Sequence, residues 1–317
     1  MGRVTLKDVA EKAGTSMMTV SRAINGKPGV GKETQEKIMK IIDELGYRPH
    51  ADARALRSGK TGRIGVVVSD IRNPFYAELV GDLEDLAEVK GYSIIVTDTG
   101  RKLEQEKKAV ADLTESGVDS IIIAPEGYSV EHLVDTNESG TTVVIFGVHC
   151  KNPSLSEVWI DEIEGSKQAG AYFKNKGIKN VVLVMGNPRK FTTRGRVKGF
   201  KKGFGNSVNK EDIFYHPVDW KTAYNTTKKL KKLPEAFFCY NDLMAMGVIK
   251  ALNERGVITG KDVLVIGYDD VFFAELAGLT TLRIPREKMV NKAFEMTLNG
   301  EQKKERYVPK LIMRNSA

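Results

Sequence analysis

The chain has 317 residues, which is long enough to bury a sizeable core and to form two or three domains. Its composition is ordinary for a globular protein, and no run approaches about 18 apolar residues, so a membrane span is excluded. The net charge is +8, with twelve Lys and Arg against seven Asp and Glu in the first 60 residues. The basic excess is therefore concentrated at the N-terminus, as phosphate binding requires.

The stretch VTLKDVAEKAGTSMMTVSRAIN, residues 4–25, predicts two short helices joined by a turn. Thr5 is suited to cap the first helix. Gly14 supplies the positive φ of a tight turn, and Ser16 can cap a second helix that starts at Met17. This is the pattern of a helix-turn-helix, whose second helix can enter a DNA major groove.

The outward face of the second helix carries side chains suited to DNA. Arg22 can donate two hydrogen bonds to a guanine edge, and short polar side chains suit phosphate or base contacts. The two methionines are flexible and apolar, so thymine methyls or the sugar-phosphate wall are their expected partners. The alternative is a small helical bundle whose exposed face has no function. The predicted DNA contacts in this stretch are Thr5, Ser16, Met17, Met18, Thr19, Ser21, Arg22 and Asn25.

A third helix and a linker complete the basic N-terminal part. The helix is predicted over Lys32–Leu45, and Gly46 ends it. Gly31 stands at its N-cap, where glycine is tolerated but offers no side-chain oxygen. The linker HADARALRSGK, residues 50–60, has fair helical propensity but little apolar surface, so it would form a helix only with a partner or on DNA. The alternative is a plain flexible linker.

From residue 63 onward, short β-branched runs alternate with amphipathic helices. Two such series of similar size predict two doubly wound parallel-sheet subdomains with a cleft between them. The predicted strands are Ile64–Val68, Ser93–Thr97, Ser120–Ala124, Val143–Phe146, Val181–Met185, Ala236–Tyr240 and Val263–Gly267. The predicted helices are Phe75–Lys90, Leu103–Ser116, Val130–Glu138, Gly165–Lys176, Thr193–Lys202, Trp220–Lys232 and Asp242–Glu254.

Aromatic and polar side chains follow several of these strands. Open α/β sheets bind ligands at the carboxyl ends of their strands, and aromatic planes with Asp, Asn and Arg groups are typical of a site for a sugar or another small polar metabolite. Alternatives stay open for three of them: Phe75 as a packing residue, Asp269 as a structural turn residue, and Asp242 as a helix cap. The predicted effector contacts are Phe75, Asp161, Phe191, Arg196, Trp220, Asn241 and Asp269.

The sequence offers no convincing catalytic or metal site. GxSxG, GxxxxGKS and GxGxxG motifs are absent, and no histidine falls beside a plausible nucleophile and acid. Cys150 and Cys239 form no CxxC motif, so buried free thiols are expected, and His149 beside Cys150 is at most half a metal site. We therefore expect neither enzymatic activity nor a cofactor.

Six segments resemble LacI-type transcriptional regulators: VTLKDVAEKAGTSMMTVSRAINGKPGV, ADARALRSGK, IGVVVSDIRNPFYAEL, YNDLMAMGV, VIGYDD and PKLIMR. The resemblance covers essentially the whole chain. It implies an N-terminal all-α helix-turn-helix domain followed by an α/β core like that of periplasmic binding proteins. It also implies that Leu56, with Ala53 beside it, enters the DNA minor groove from a paired hinge helix. The effector contacts that match the family are Phe75, Asp161, Arg196, Trp220, Asn241 and Asp269.

The resemblance further implies a division of the chain into a DNA-binding domain (1–48), a hinge (49–60) and an effector-binding core (61–317). Subdomain 1 is expected to comprise about 61–160 and 286–307, with 286–307 returning as a helix. Subdomain 2 is expected to comprise about 161–285 and 308–317, with Lys310–Arg314 as the last strand that closes it. The chain would cross between them near Asp161, near Ile284–Pro285 and near Val308.

The combined prediction is a sequence-specific DNA-binding regulator, expected to be a repressor that binds a palindromic operator as a dimer. A small effector in the cleft, expected to be a sugar or a related metabolite, would control its DNA affinity. Because no heptad helix follows the last strand, we expect a dimer rather than a tetramer. An amphipathic helix at the very start, with no apolar signal core, leads us to expect a cytoplasmic protein. Two alternatives remain: a regulator that senses a phosphoprotein partner, and a small-molecule receptor without operator specificity.

Overall fold

The computed structural model describes residues 4–24, 27–47, 60–127, 130–205, 208–300 and 302–317. The chain forms two compact units, Met1–Gly62 and Arg63–Ala317. Three predicted DNA contacts, Asn25, Ala53 and Leu56, lie outside the described residues, as does most of the predicted hinge. Within the described ranges, no helix is both long and apolar enough to cross a membrane.

The described part of the first unit consists of three short helices, α1 (Leu6–Ala13), α2 (Met17–Ile24) and α3 (Lys32–Leu45). Each helix has one apolar face, and the three faces meet in a small core. The buried residues of this core are Val9, Ala10, Ala13, Val20, Ala23, Ile38, Ile41, Ile42 and Tyr47.

Local signals set both ends of α1 and the start of α2, as predicted. Thr5 and Asp8 form a reciprocal capping box at the start of α1, and Gly14 ends this helix at φ 68°. Ser16 Oγ accepts the backbone N–H of Thr19 at 3.1 Å, which caps the start of α2. The caps satisfy N–H groups that the first turn of a helix leaves without intrahelical partners.

The third helix also has the predicted bounds. Gly31 is its N-cap and makes no side-chain capping bond, while Gly46 ends it at φ 61°. Gln35 Nε2 donates to the carbonyl oxygen of Ala23 at 3.2 Å and so attaches α3 to the end of α2.

The second unit alternates strands and helices throughout. In chain order its elements are β1 (Arg63–Val68), α4 (Pro74–Lys90), β2 (Ser93–Asp98), α5 (Leu103–Glu115), β3 (Ser120–Ile123), α6 (Glu131–Glu138), β4 (Thr142–Gly147), β5 (Ser156–Ile160), α7 (Glu162–Asn175), β6 (Val181–Met185), α8 (Phe191–Phe204), β7 (Ile213–Tyr215), α9 (Trp220–Lys229), β8 (Ala236–Cys239), α10 (Asp242–Asn253), β9 (Leu264–Asp269), α11 (Phe272–Leu276), β10 (Thr280–Arg283), α12 (Arg286–Asn299), β11 (Lys304–Tyr307) and β12 (Lys310–Ile312).

The strands form two six-stranded sheets, ordered β11-β5-β4-β3-β1-β2 and β12-β10-β9-β8-β6-β7. The first sheet is parallel throughout, and the second is parallel except for the β10–β12 pair. The chain therefore passes from one sheet to the other after β5, after β10 and after β11. The predicted doubly wound architecture is confirmed, while the numerical domain boundaries remain a prediction.

Helices cover both faces of each sheet. In the first sheet, α4 and α12 pack on one face and α5 and α6 on the other. In the second sheet, α7 and α8 cover one face and α9 and α10 the other. Strands buried on both sides read as continuous apolar runs, which is why β1, β3 and β6 could be predicted from sequence.

Five elements were not predicted: β5, β7, β10, β11 and α11. The expectation that 286–307 is one returning helix is wrong at its end. The helix α12 stops at Gly300, which adopts φ 63°, and residues 304–307 then pair with β5 as an edge strand. The sequence of that strand, KERY, is too polar to read as a strand, but an edge strand with one exposed side tolerates charge.

Helices α7 and α8 pack backbone against backbone through glycines. A Cβ at Gly199 would lie 2.3 Å from the carbonyl oxygen of Ile163, and one at Gly203 would lie 2.1 Å from that of Lys167. Side chains at these positions would separate the helices. The close approach brings the start of α7 against the middle of α8, where Glu162 and Arg196 meet.

Candidate nucleic-acid interface and ligand cleft

The helix α2 presents the predicted DNA-reading side chains on its open face. Val20 and Ala23 are buried in the three-helix core, whereas Met17 is 52% exposed and Met18 is 65% exposed. Arg22 is exposed on the same side. The α2 face thus offers one cation and two flexible apolar side chains, a combination that suits base edges and thymine methyls.

Three short polar residues of this interface, Thr5, Ser16 and Thr19, are engaged in helix caps. The hydroxyl of Thr5 donates to Asp8 Oδ2 at 2.7 Å and accepts the N–H of Asp8 at 3.3 Å. The Ser16 and Thr19 hydroxyls lie 2.9 Å apart and share a hydrogen bond. Ser16 is exposed, and Thr19 and Ser21 are half-buried. Thr5 thus shapes the start of α1, and Ser16 and Thr19 shape the start of α2, whether or not these residues also contact DNA.

In the second unit, a cavity opens between the carboxyl ends of strands from the two sheets. Its volume is about 70 Å³, and it is continuous with solvent. Four predicted effector residues line it: Phe75, Phe191, Arg196 and Asp269. Its other lining residues include Ser69, Asn73, Tyr76, Glu126, Phe146, Glu162, Lys190, Thr192 and Tyr240. The contact roles of the four predicted residues stay a prediction.

Arg196 occupies the centre of one wall and is almost fully buried. Its Nε and Nη2 donate to the two carboxylate oxygens of Glu162 at 2.9 and 3.1 Å, a bidentate pair. Its Nη1 donates to the carbonyl oxygen of Tyr240, and Nη2 lies 3.6 Å from Asp269 Oδ1. The guanidinium also lies over the ring of Tyr268, 3.5 Å from its centroid. Burial alone would disfavour the charged guanidinium, but these partners raise the pKa of Arg196 above its usual range.

Asp269 reaches the cavity from a strained turn. Its φ is 107°, and the φ of Asp270 is 59°, so two consecutive non-glycine residues have left-handed backbone. The carboxylate of Asp270 accepts from both Arg283 and Arg314, which helps to hold the turn. Burial raises the pKa of Asp269 well above its usual range, and Arg196 opposes this shift. Backbone strain of this kind is often found at ligand sites.

An ion pair between Lys190 and Glu126 connects the two sides of the cleft. Lys190, at the N-terminus of α8, is bonded to Glu126, which follows β3 in the first sheet. The backbone N–H of Glu126 donates to Glu106 Oε2 at 2.5 Å, and the other oxygen of Glu106 is 3.0 Å from His132 Nε2. The loop that carries Glu126 is thus attached to α5 and α6 behind it.

Trp220 lines a wider cavity at the mouth of the cleft and is 37% exposed. This outer cavity is rich in charge: Asp70 accepts from Arg72 at 2.8 Å and from Arg101 at 3.1 Å. Lys190 and Glu126 line both cavities, so their ion pair separates the mouth from the inner cavity.

Two family models match the two units of the chain. Residues 61–306 match the family model described as "Periplasmic binding proteins and sugar binding domain of LacI family". Residues 5–50 match the family model described as "Bacterial regulatory proteins, lacI family". The chain belongs to the LacI family. It is accordingly a DNA-binding transcriptional regulator and not an enzyme.

Relatives of this LacI-family regulator match it along nearly their whole length. The HTH-type transcriptional repressor PurR of Vibrio parahaemolyticus serotype O3:K6 is 31% identical, with 98% of each chain covered. The HTH-type transcriptional regulator RegA of Clostridium saccharobutylicum is 32% identical, with 98% of this chain and 96% of RegA covered. The Lac repressor dimer bound to operator and the anti-inducer ONPF has the same fold, with a TM-score of 0.86 at 23% identity and 99% of each chain covered.

Two predicted effector residues of the LacI-family core lie outside the described lining of both cavities. Asp161 caps α7, where Oδ1 accepts the N–H of Ile163 at 3.0 Å, and Oδ2 accepts from Arg306. Asn241 is buried and caps α10, where Oδ1 accepts the N–H of Met244 at 2.9 Å. The structure therefore gives both residues a structural role, and their contact with an effector stays a prediction.

The interpretation of Asp242 as the cap of its helix is wrong, since Asn241 occupies the N-cap of α10. Asp242 is instead the first helical residue, and its carboxyl group points beneath the Asp269–Asp270 turn. A sequence cannot distinguish these two roles, because Asn and Asp are both favoured at the N-cap.

Several lining residues of the regulator's cleft were missed in the sequence. Glu162 and Tyr240 contact Arg196 directly, and Glu126 pairs with Lys190. Glu162 resembles an ordinary acidic residue in the first turn of a helix, so no local signal marks it. Within the described residues, no group of three or more His, Cys, Asp or Glu is placed to hold a metal ion. Cys150 and Cys239 are buried free thiols, as predicted.

Proposed function

We propose that this regulator is a repressor that binds a palindromic operator as a homodimer in the cytoplasm, and that a neutral sugar in the cleft controls its DNA affinity. The choice of a neutral sugar rests on one observation: both cations in the inner cavity are already paired with carboxylates. Arg196 is bonded to Glu162 and lies near Asp269, and Lys190 is bonded to Glu126.

The charges in the cavity disfavour an anion. Two cations face three carboxyl groups, those of Glu126, Glu162 and Asp269, so the inner cavity carries no positive excess. A phosphate or carboxylate ligand would have to share Arg196 or Lys190 with carboxylates that repel it, or displace one of those carboxylates. Breaking a buried ion pair in this way is expensive, because the displaced carboxylate is left buried and unpaired.

The remaining lining suits a polyol. Hydroxyl and amide groups of Ser69, Asn73, Tyr76 and Thr192 face the cavity and can exchange hydrogen bonds with sugar hydroxyls. Three phenylalanines also line it, and aromatic faces pack well against the apolar face of a sugar ring. These are Phe75, Phe146 and Phe191.

On the DNA side, two copies would place their α2 helices in successive major grooves. The operator half-sites would then lie about 34–36 Å apart, one helical turn of DNA. The effector would close or twist the cleft and so change the separation of the two hinges. Coupling of this kind is typically worth about 1–3 kcal/mol.

The test is a thermal-shift and calorimetric screen of the full chain against d-glucose, d-ribose and cellobiose, with the matching sugar phosphates alongside. We expect at least one neutral sugar to stabilise the protein, and its phosphate to bind more weakly. Any hit is then added to a complex with operator DNA selected from a random-sequence pool, and a change in DNA affinity is expected.

Preferential binding of the sugar phosphates would overturn the choice of effector. Absence of any hit would favour a regulator that senses a protein partner. Sugar binding without selection of a palindrome would favour a receptor that lacks operator specificity.

A further inference from the structure

Asp242 is a fully buried carboxyl group, and no Lys, Arg or His among the described residues forms an ion pair with it. Its Oδ2 accepts the backbone N–H of Val271 at 3.0 Å, and its Oδ1 lies 2.5 Å from the hydroxyl of Thr281. Two arginines of this subdomain have other carboxylate partners: Arg196 pairs with Glu162, and Arg283 pairs with Asp270. Burying a carboxyl group in this way is costly unless its hydrogen bonds are needed.

The bond from Val271 ties Asp242 to the turn that carries Asp269 into the cleft, and the bond from Thr281 ties it to β10. Val271 directly follows Asp269 and Asp270, the two residues with left-handed backbone. The approach of the carboxyl group depends on Gly267, since a Cβ at that position would lie 2.2 Å from Asp242 Oδ1. The strand β9 therefore passes close over Asp242 just before it delivers Asp269 to within 3.6 Å of Arg196.

We propose that Asp242 is a positioning residue for the effector site: its ionised carboxylate holds the Asp269–Val271 turn in the geometry that binds the effector, and proton uptake by this carboxylate loosens the turn. This inference rests on the proposed function, because it assigns to Asp269 a place in the effector site. Asp242 acts only through the turn and does not touch the ligand.

The surroundings of Asp242 place its titration near neutral pH. Burial raises the pKa of Asp242 to about 7, against the hydrogen bonds from Thr281 and Val271, which lower it. The charge of Asp270 raises the pKa further, although Arg283 and Arg314 compensate that charge.

Other titratable groups also face this carboxyl group. Cys239, at the end of β8, is a buried thiol whose pKa is raised mainly by burial and also by Asp242. Asp269 on β9 feels the charge of Asp242, which adds to the upward shift of its own pKa. Arg196 on α8 opposes the shift of Asp269. Protonation of Asp242 therefore also changes the electrostatic potential at Asp269.

The two protonation states differ in what they can accept. Above pH 7 the carboxylate accepts from both the Val271 N–H and the Thr281 hydroxyl, and charge-assisted bonds are the stronger kind. Below pH 7 one oxygen carries a proton and must donate it, so one of the two accepted bonds is weakened. Because the folded pKa lies above the ordinary value of 3.8, the contribution of Asp242 to folding stability falls as the pH rises from about 4 to about 7 and levels off above pH 7.

The first experiment follows the backbone amide resonances of Val271 and Asp269 in the full-length protein from pH 5.5 to 8.5. We expect both resonances to move with a common midpoint near pH 7. Asp242→Asn, which resembles the protonated carboxyl group, is expected to abolish the step. Thr281→Val keeps the side-chain shape but removes the hydroxyl that stabilises the ionised form, so the midpoint should rise.

Asp262→Asn is the matched control. Asp262 also accepts a backbone N–H, that of Ile258 at 2.9 Å, but on the exposed surface. Its replacement should leave the Val271 titration unchanged. A Val271 resonance that does not titrate, or a midpoint that is the same in Thr281→Val, would overturn the inference, and neither result needs the Asp242→Asn protein to fold.

The second experiment measures the dissociation constant of d-glucose, d-ribose and cellobiose at pH 6 and pH 8. For any of these that binds, we expect about fivefold weaker binding at pH 6, and no pH dependence of this size in Asp242→Asn. An equal pH dependence in both proteins would contradict the positioning role. If no sugar binds while the Val271 titration behaves as expected, the proposed effector class fails, and the control of the turn by Asp242 stands.

Discussion

The DNA-facing helix and the ligand cleft use arginine in opposite ways. Arg22 on α2 is exposed to solvent, where it can meet a base or a phosphate. Arg196 is buried and already bonded to Glu162 and to the carbonyl oxygen of Tyr240. Arg22 can therefore bind a further partner, such as DNA. Arg196 instead holds its present partners in position.

The difference follows from how each region is built. The face of α2 is produced by eight consecutive residues and one cap, so helical spacing alone determines which side chains point outward. The cleft wall joins residues that are 34 positions apart, as Glu162 and Arg196 are, and it depends on two helices in close contact. Substitutions on the face of α2 are therefore expected to change DNA binding without changing folding stability. Substitutions in the cleft wall are expected to change both effector binding and folding stability.

The largest effect is expected from Glu162→Gln. It would leave the Arg196 guanidinium buried with one carboxylate lost, and breaking such a pair typically costs about 3–5 kcal/mol of folding stability. Chemical denaturation of the full chain measures this loss. The double variant Glu162→Leu with Arg196→Met removes both charges and should recover most of the stability. A single variant as stable as the wild type would show that the pair is not structurally important.

Gly199→Ala tests the scaffold behind that pair. The new methyl group would lie 2.3 Å from the carbonyl oxygen of Ile163, so α7 and α8 must move apart, at a cost of about 1–3 kcal/mol. The control is Gly81→Ala on α4, where no atom lies within 4 Å of the new Cβ. That substitution should stabilise the protein by up to about 1 kcal/mol, because alanine favours helix. Equal effects at both positions would rule out close helix packing as the cause.

Arg22→Ala should act on binding alone. We expect specific operator affinity to fall on the order of tenfold to a hundredfold, the usual contribution of a bidentate base contact. Non-specific DNA affinity should fall much less, and the denaturation midpoint should stay unchanged because Arg22 is exposed. Parallel binding titrations on operator and scrambled DNA measure both quantities. Equal losses on the two DNAs would mean that Arg22 contacts phosphate and does not read sequence.

The same contrast explains how much could be predicted from the sequence. The bounds of α3, the caps of α1 and α2 and most buried strands were predicted, because each depends on neighbouring residues. Four predicted effector residues line the cavity, since strand ends converge there in any parallel sheet, and their contact with an effector stays a prediction. Glu162 and Glu126 were missed, because their roles depend on partners far away in the chain. The edge strand β11 was missed because its residues are largely polar.

Gly31→Ser is expected to have the smallest effect. Gly31 has the extended backbone of an N-cap, at φ −66° and ψ 150°, and makes no side-chain capping bond. A serine there would meet no atom within 4 Å of its Cβ, and its hydroxyl could accept an N–H of the first turn of α3. The gain over glycine should be only a few tenths of a kcal/mol, read as a small rise in the denaturation midpoint of the first unit.

Gly46→Ser is the opposite case, because φ there is 61° and a side chain would be strained. If Gly31→Ser destabilised the unit as much as Gly46→Ser, the open N-cap of α3 would have to be required for another reason, such as close approach of the DNA backbone.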